Sequence, residues 1–204
     1  MIAAAMLAIG NGVSPSYAAA QGNGDPKAIV QSFYDALEET MKQGEELGFD
    51  GRYKKLEPVI HETFDVPVMA KIAIGSEWTN FSADQKRAML ETFDQYMVTT
   101  YASRFKTDKG LKFEVGEVKT PAENRALVET KLVRANGDPV ALNYLFRPDV
   151  NGSWKIIDVY LSGAISEMAR MRSDFSATVT GGGADALIKA LEKKIVDIKN
   201  EPGQ

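Results

Sequence analysis

The segment from Trp154 to Phe175 restricts the possible folds more than any other stretch of the chain. Ile156, Ile157, Val159 and Tyr160 make an apolar, β-branched run of strand length, and Ala164, Met168, Met171 and Phe175 then follow at helical spacing. Ser162-Gly163 separates the two patterns, so a strand is predicted to feed a helix through one glycine. A helix that leaves a strand this abruptly has to fold back over one face of the sheet. Its methionine stripe and the strand's apolar side chains then face each other, enclosing either a filled core or a pocket.

The rest of the chain supplies partners for that unit. Asp25-Pro26 reads as an N-cap and first helical residue, with Ile29, Phe33, Leu37 and Met41 recurring every four residues until the pattern ends near Gly44. Glu45 to Gly51 reads as a polar loop, Tyr53 to Ile60 as a short helix or turn, and Phe64-Asp65 opens a helix that Gly75 ends. Ser82 to Gln85 has the spacing of a capping box and starts the longest helical pattern, whose buried stripe is Met89, Phe93, Tyr96, Met97 and Tyr101.

At Gly110 the period changes: Leu111, Phe113 and Val115 alternate with Lys112 and Glu114, as in a half-buried strand. Turn signals at Pro121–Asn124, Asn136–Pro139 and Asp149–Gly152 separate four strands in meander order. On the third, Val140, Leu142, Tyr144 and Phe146 share one face, and Asn143 and Arg147 take the other. Gly181-Gly182-Gly183 breaks the C-terminal pattern before a last helix capped by Asp185. Helices, an antiparallel four-stranded meander and further helices on one sheet face make an α+β fold. Its nearest architecture is the cone of nuclear transport factor 2, an NTF2-like sheet curved around an apolar cavity.

A chain of 204 residues, 44% hydrophobic and 25% charged, is long enough to bury the core of a globular domain. A formal net charge of -4 and scattered basic residues leave no footprint for nucleic acid. The absence of cysteine excludes disulfides, thiolate catalysis and cysteine-based metal sites, and fits an exported protein. Residues 1–20 carry no charged side chain and end in Ala18-Ala19-Ala20; Gly10, Asn11 and Gly12 interrupt the apolar run, which is too short to span a membrane. They read as a secretory signal lacking its basic start, leaving 21–204 as a single domain.

Few residues offer chemistry. His61 is the only histidine and lies beside Glu62 at a predicted helix end, which argues against a histidine metal centre or a Ser-His-Asp triad. The glycine triplet follows no strand and has no nearby Gly-Lys-Ser, so it reads as a breaker; no cofactor and no metal are expected. Asp158 has two readings. In a dry pocket with Tyr144 or Tyr160 it would be the acid/base group of a small-molecule enzyme; facing away, it would be a structural carboxylate bonded to an arginine or to helix-end amides. Arg170 and Arg172 are surface charges or, at a pocket mouth, partners for an anionic headgroup. The eight methionines are either core filler or the wall of a cavity that adapts to acyl chains.

Several spaced elements together carry a family resemblance: Phe64-Asp65 with Met69-Ala70, Gly75 with Trp78, Gln85-Lys86-Arg87 leading to Phe93 and Tyr101, Trp154 to Val159, and Gly163, Ser166, Arg172 and Phe175. Over about residues 25 to 198 the chain resembles the MlaC/toluene-tolerance family. The resemblance implies a monomeric periplasmic carrier, not an enzyme, that moves phospholipid between an outer-membrane lipoprotein complex and an inner-membrane ABC transporter. Gly163-Ala164-Ile165-Ser166 has one residue more than the Gly-Val-Ser of many members and resembles the hopanoid-associated HpnM branch, so the implied cargo is a phospholipid or a hopanoid. Placed on the inferred inward faces, the cavity wall would comprise Phe33, Leu37, Phe93, Tyr96, Leu142, Tyr144, Phe146, Ile157, Val159, Met168 and Met171, with Arg170 and Arg172 as headgroup candidates and no catalytic residue.

Overall fold

The change of period at Gly110 separates a helical half from a sheet. In the computed structural model, which describes residues 24–135 and 137–201, α1 spans Pro26–Lys42, α2 Gly44–Thr63, α3 Val66–Ile74 and α4 Ala83–Arg104, with a 3-10 segment Gly75–Asn80 before α4. β1 (Lys112–Lys119), β2 (Ala126–Val133), β3 (Val140–Pro148) and β4 (Trp154–Leu161) follow as an antiparallel meander. The two-residue β5 (Ile165–Ser166) and α5 (Glu167–Asn200) complete the chain. The predicted signal segment 1–20 and Asn136 of one predicted turn lie outside the described residues.

The capping signals at the starts of α1, α3 and α4 act as read. Asp25 accepts from the Lys27 N–H at 3.0 Å, Asp65 from the Val68 N–H at 3.2 Å, and Ser82 and Gln85 form the reciprocal box at 3.2 and 3.0 Å. The predicted loop Glu45–Gly51 is helical instead, since α2 runs through it with one non-helical residue, Gly48 (φ 59°). Tertiary bonds decide this. The buried Arg52 donates from Nε to the Ala102 carbonyl at 2.8 Å and from Nη1 to the Gly44 carbonyl at 2.6 Å. A side chain at Gly44 would also collide with the Lys106 carbonyl, so the start of α2 is held against the end of α4.

The junction of strand and helix is more elaborate than one glycine. Ser162 (φ 50°) and Gly163 (φ 77°) are both left-handed, and the Ala164 N–H bonds the Leu161 carbonyl at 3.1 Å, closing a tight hairpin of the kind that matches strand twist. The chain then returns as β5, with Ser166 opposite Tyr160 and Ile165 opposite Leu161, before α5 begins. This makes a five-stranded sheet rather than four; a two-residue strand is too short to register as alternation.

Helices cover one face of the sheet: α1 lies over β1 and β2, α3 and α5 lie over β4, and α4 packs among α2, α3 and α5. Phe33, Tyr34, Phe64, Phe93, Val128, Phe146 and Ile156 are buried in one core shared by helices and sheet. Phe33 meets Phe64, Tyr101 and Tyr144 edge-on at centroid distances of 5.2, 5.6 and 6.3 Å, the favoured arrangement of aromatic quadrupoles. Gly183 (φ 67°) interrupts α5, with Met168, Phe175 and Val179 buried before it and Leu187, Leu191 and Ile195 after it. Asp185 does not cap the second half; its carboxylate accepts from Gln85 Nε2 at 3.1 Å.

Candidate functional site

The register of β3 and β4 builds one wall of a cavity. Leu142 pairs with Leu161 and Tyr144 with Val159, but β4 carries one extra residue, Ile157, opposite the step from Leu145 to Phe146, so that Phe146 pairs with Ile156. This bulge lets Ile156 and Val159, three positions apart, both serve the helical face, which strict alternation forbids. Towards Ile156 the interface is filled. Towards Leu161 it opens into a cavity of about 110 Å³.

Tyr96, Met97, Thr100, Tyr101 and Arg104 of α4, Met168 and Met171 of α5, and Met69 of α3 face Leu142, Tyr144, Val159 and Leu161 across this space, with Phe105 and Glu167 completing the lining. Met69, Met97, Tyr144 and Met168 make its buried end, and the exposed Arg104 marks its rim. Most polar groups here are already engaged. The Thr100 hydroxyl donates to the Tyr96 carbonyl at 2.7 Å, and the Glu167 carboxylate accepts from Arg170 Nε at 3.2 Å and Nη2 at 2.8 Å. Behind Tyr144, Tyr34 shares a 2.6 Å hydrogen bond with Thr130. Burial pushes the Tyr34 hydroxyl up to about 12 and also raises Tyr101 and Tyr144, because a phenolate cannot be solvated there. The interior is therefore neutral and apolar, suited to solvating a hydrocarbon chain.

Of the residues proposed from sequence, Tyr96, Leu142, Tyr144, Val159, Met168 and Met171 line the cavity. Phe33, Leu37, Phe93 and Phe146 point inward as expected, yet they are packed in the core and none lines this cavity; Phe33 borders instead a separate hollow between α1, α2 and β4. Ile157 is displaced by the bulge and is buried away from the cavity. Arg170 pairs with Glu167 and with Asp174 (2.9 Å), while Arg172 Nε donates to the Ile72 carbonyl at 2.8 Å and ties α5 to the end of α3. Neither arginine lines the cavity. Sequence reasoning did not select Met69, Met97, Tyr101, Arg104 or Leu161 as wall residues, although extending the α4 stripe by one turn reaches Arg104 from Met97 and Tyr101.

Asp158 lies opposite Leu145, outside the cavity, and both its oxygens are engaged. Oδ1 accepts from the N–H groups of Val159 (2.8 Å) and Met168 (3.2 Å), and Oδ2 accepts from Ser166 Oγ at 2.5 Å. It is a structural carboxylate bonded to one helix-end amide, that of Met168, and to a strand amide, and it locks the hairpin turn to the start of α5. His61 Nε2 lies 2.7 Å from Asp94 Oδ1 and joins α2 to α4 at the surface. Among the described residues no three His, Cys, Asp or Glu side chains are grouped to hold a metal, and no helix is long and apolar enough to cross a membrane.

A sequence profile of the MlaC protein family matches residues 31–193, from α1 into the second half of α5. The chain belongs to the MlaC family. A solved structure that superposes on it with a TM-score of 0.75 is the phospholipid-binding protein from Ralstonia solanacearum, determined in complex with a phospholipid. The two are 22% identical, and the alignment covers 86% of this chain and 99% of that one. At that identity the likeness establishes the fold. No curated protein sequence matches the chain.

Proposed function

We propose that this MlaC-family chain is a lipid carrier without catalytic turnover, which binds a phospholipid by burying acyl chain between the sheet and helices α4 and α5. One observation carries the reading: an apolar cavity with Met69, Met97, Met168 and Met171 in its wall, at the place where an otherwise filled core opens. Methionine is unbranched and adapts its shape, which suits a flexible guest. Each methylene buried contributes about 0.8 kcal/mol, so a single long chain supplies useful affinity. At about 110 Å³ the cavity is smaller than the roughly 300–1,000 Å³ of ordinary ligand sites, so loading requires it to widen.

The narrow, methionine-lined space favours acyl chains over a rigid polycyclic hopanoid. We assign Tyr96, Leu142, Tyr144, Val159, Met168 and Met171 as the lipid-contacting wall. The uncharged N-terminal segment and the lack of cysteine support export to the periplasm of a single domain, 21–204, and membership of the MlaC family supports a monomer acting between an outer-membrane lipoprotein complex and an inner-membrane ABC transporter. Mass spectrometry of organic extracts, from the purified protein and after its incubation with phospholipid vesicles, tests the reading; repeated absence of lipid from both rejects it. Asp158→Asn should keep lipid binding and lower stability by about 1–3 kcal/mol, the cost of disturbing a buried hydrogen-bonding group. Loss of binding with unchanged stability would instead revive a role for Asp158 in ligand chemistry.

A further inference from the structure

The cavity rim holds one charge without a partner. Arg170, Arg172, Arg147 and Arg87 bond carboxylates or carbonyls, Arg52 is spent on the Gly44 and Ala102 carbonyls, Arg125 donates to the Asn124 carbonyl, and Arg134, just after β2, does not line the cavity. Among the described residues Arg104 makes neither a hydrogen bond nor an ion pair with another side chain or carbonyl, and it is the arginine that lines the cavity. Its place in the last turn of α4 suits a cation at a helix C-terminus, but that interaction leaves its guanidinium donors free.

The neighbouring carboxylate does not engage it. Glu167, the carboxylate of the same cavity, is already held by both Nε and Nη2 of Arg170, so its oxygens are engaged there and Arg104 keeps its donors free. Tyr101, three residues earlier on α4, lines the same cavity and is largely covered, whereas Arg104 is exposed, so the charge stands at the entrance to the apolar interior. A cation at the rim of a neutral hydrocarbon-lined cavity is complementary to an amphiphile whose anion stands at the end of its chains. Guanidinium also matches the geometry of phosphate oxygens better than an ammonium does.

The geometry points to Arg104 as the residue that holds the phosphate of the bound lipid and selects phospholipid over a neutral lipid with the same chains. This rests on the carrier reading above and adds to it a headgroup contact. The test uses the full-length processed protein, stripped of lipid and loaded from vesicles containing phosphatidylglycerol or phosphatidylcholine, with diacylglycerol as the phosphate-free comparison. Wild-type protein should take up phospholipid over diacylglycerol; Arg104→Ala should lower phospholipid loading about tenfold and leave diacylglycerol loading unchanged, and Arg104→Lys should restore part of the difference. Circular dichroism melting of both variants confirms that the fold is kept.

Equal loss of both lipids in Arg104→Ala, or no loss of either, overturns the assignment while leaving the carrier intact. Failure of the wild type to load any lipid overturns both. Titration with inorganic phosphate separates the sources of the anion. Binding of phosphate alone that disappears in Arg104→Ala, without any change in lipid preference, makes this a free-phosphate site and overturns the role in lipid selection.

Discussion

The two ends of the interface between helices and sheet are built from different side chains. At the α1 end, Phe33 meets Tyr34 with its ring tilted and Phe64 edge-on, Phe146 packs in the same core, and all four are almost fully excluded from solvent. At the other end, where α5 begins, methionines from three helices meet Leu142, Val159 and Leu161 beside the rings of Tyr96, Tyr101 and Tyr144 and leave a gap. Rigid rings with few rotamers make a filled, fixed end; flexible thioether chains make one that can yield. The same sheet thus anchors the fold at one end and leaves room for a guest at the other.

Changes at either end should break this contrast in opposite ways. Phe33→Ala, in the filled end, should destabilise the protein by about 3–5 kcal/mol in urea unfolding, because a cavity would open among rings that cannot collapse into it. A loss below about 1 kcal/mol would mean that this end is as yielding as the other. Next comes alkaline stability. Tyr34 is raised from 10.0 to about 12 by burial, so the fold favours its neutral form; the resulting stabilisation is complete below pH 10 and is lost as pH rises through about 12. That stabilisation amounts to about 3 kcal/mol, read by following unfolding together with tyrosinate absorbance. Ionisation of every tyrosine near pH 10 without unfolding would show the end to be wet.

Met171→Trp, in the yielding end, should change stability by less than about 1.5 kcal/mol, because the gap accepts the extra volume, yet abolish most lipid loading from vesicles. Unimpaired loading would remove this cavity as the lipid site. The smallest effect is expected at the glycine run. Gly181 is helical and an added Cβ meets nothing within 4 Å, so Gly181→Ala should stabilise the protein by up to about 1 kcal/mol, whereas at Gly183 (φ 67°) the same change should destabilise it. A calorimetric melt of the two variants checks the sign of each.

Much that depends on neighbours in sequence was legible in advance. The caps at Asp25 and Ser82, the α4 stripe, the alternation of β3 and the methionine face of α5 follow from hydrogen bonds and periodicities spanning a few residues. Membership of the MlaC family was also readable from spaced residues, as was the choice of helix-end amides as one of two roles for Asp158. Tertiary structure decided the rest. The continuity of α2 depends on Arg52 reaching the Ala102 carbonyl, and the position of Ile157 depends on a bulge set by pairing with β3. Phe33 and Tyr144 are both inward and aromatic, yet only Tyr144 borders the cavity. The segment Trp154 to Phe175 determined that a methionine face would meet a strand; whether that meeting enclosed space depended on the volumes of side chains brought there from α3 and α4, which no local pattern specifies.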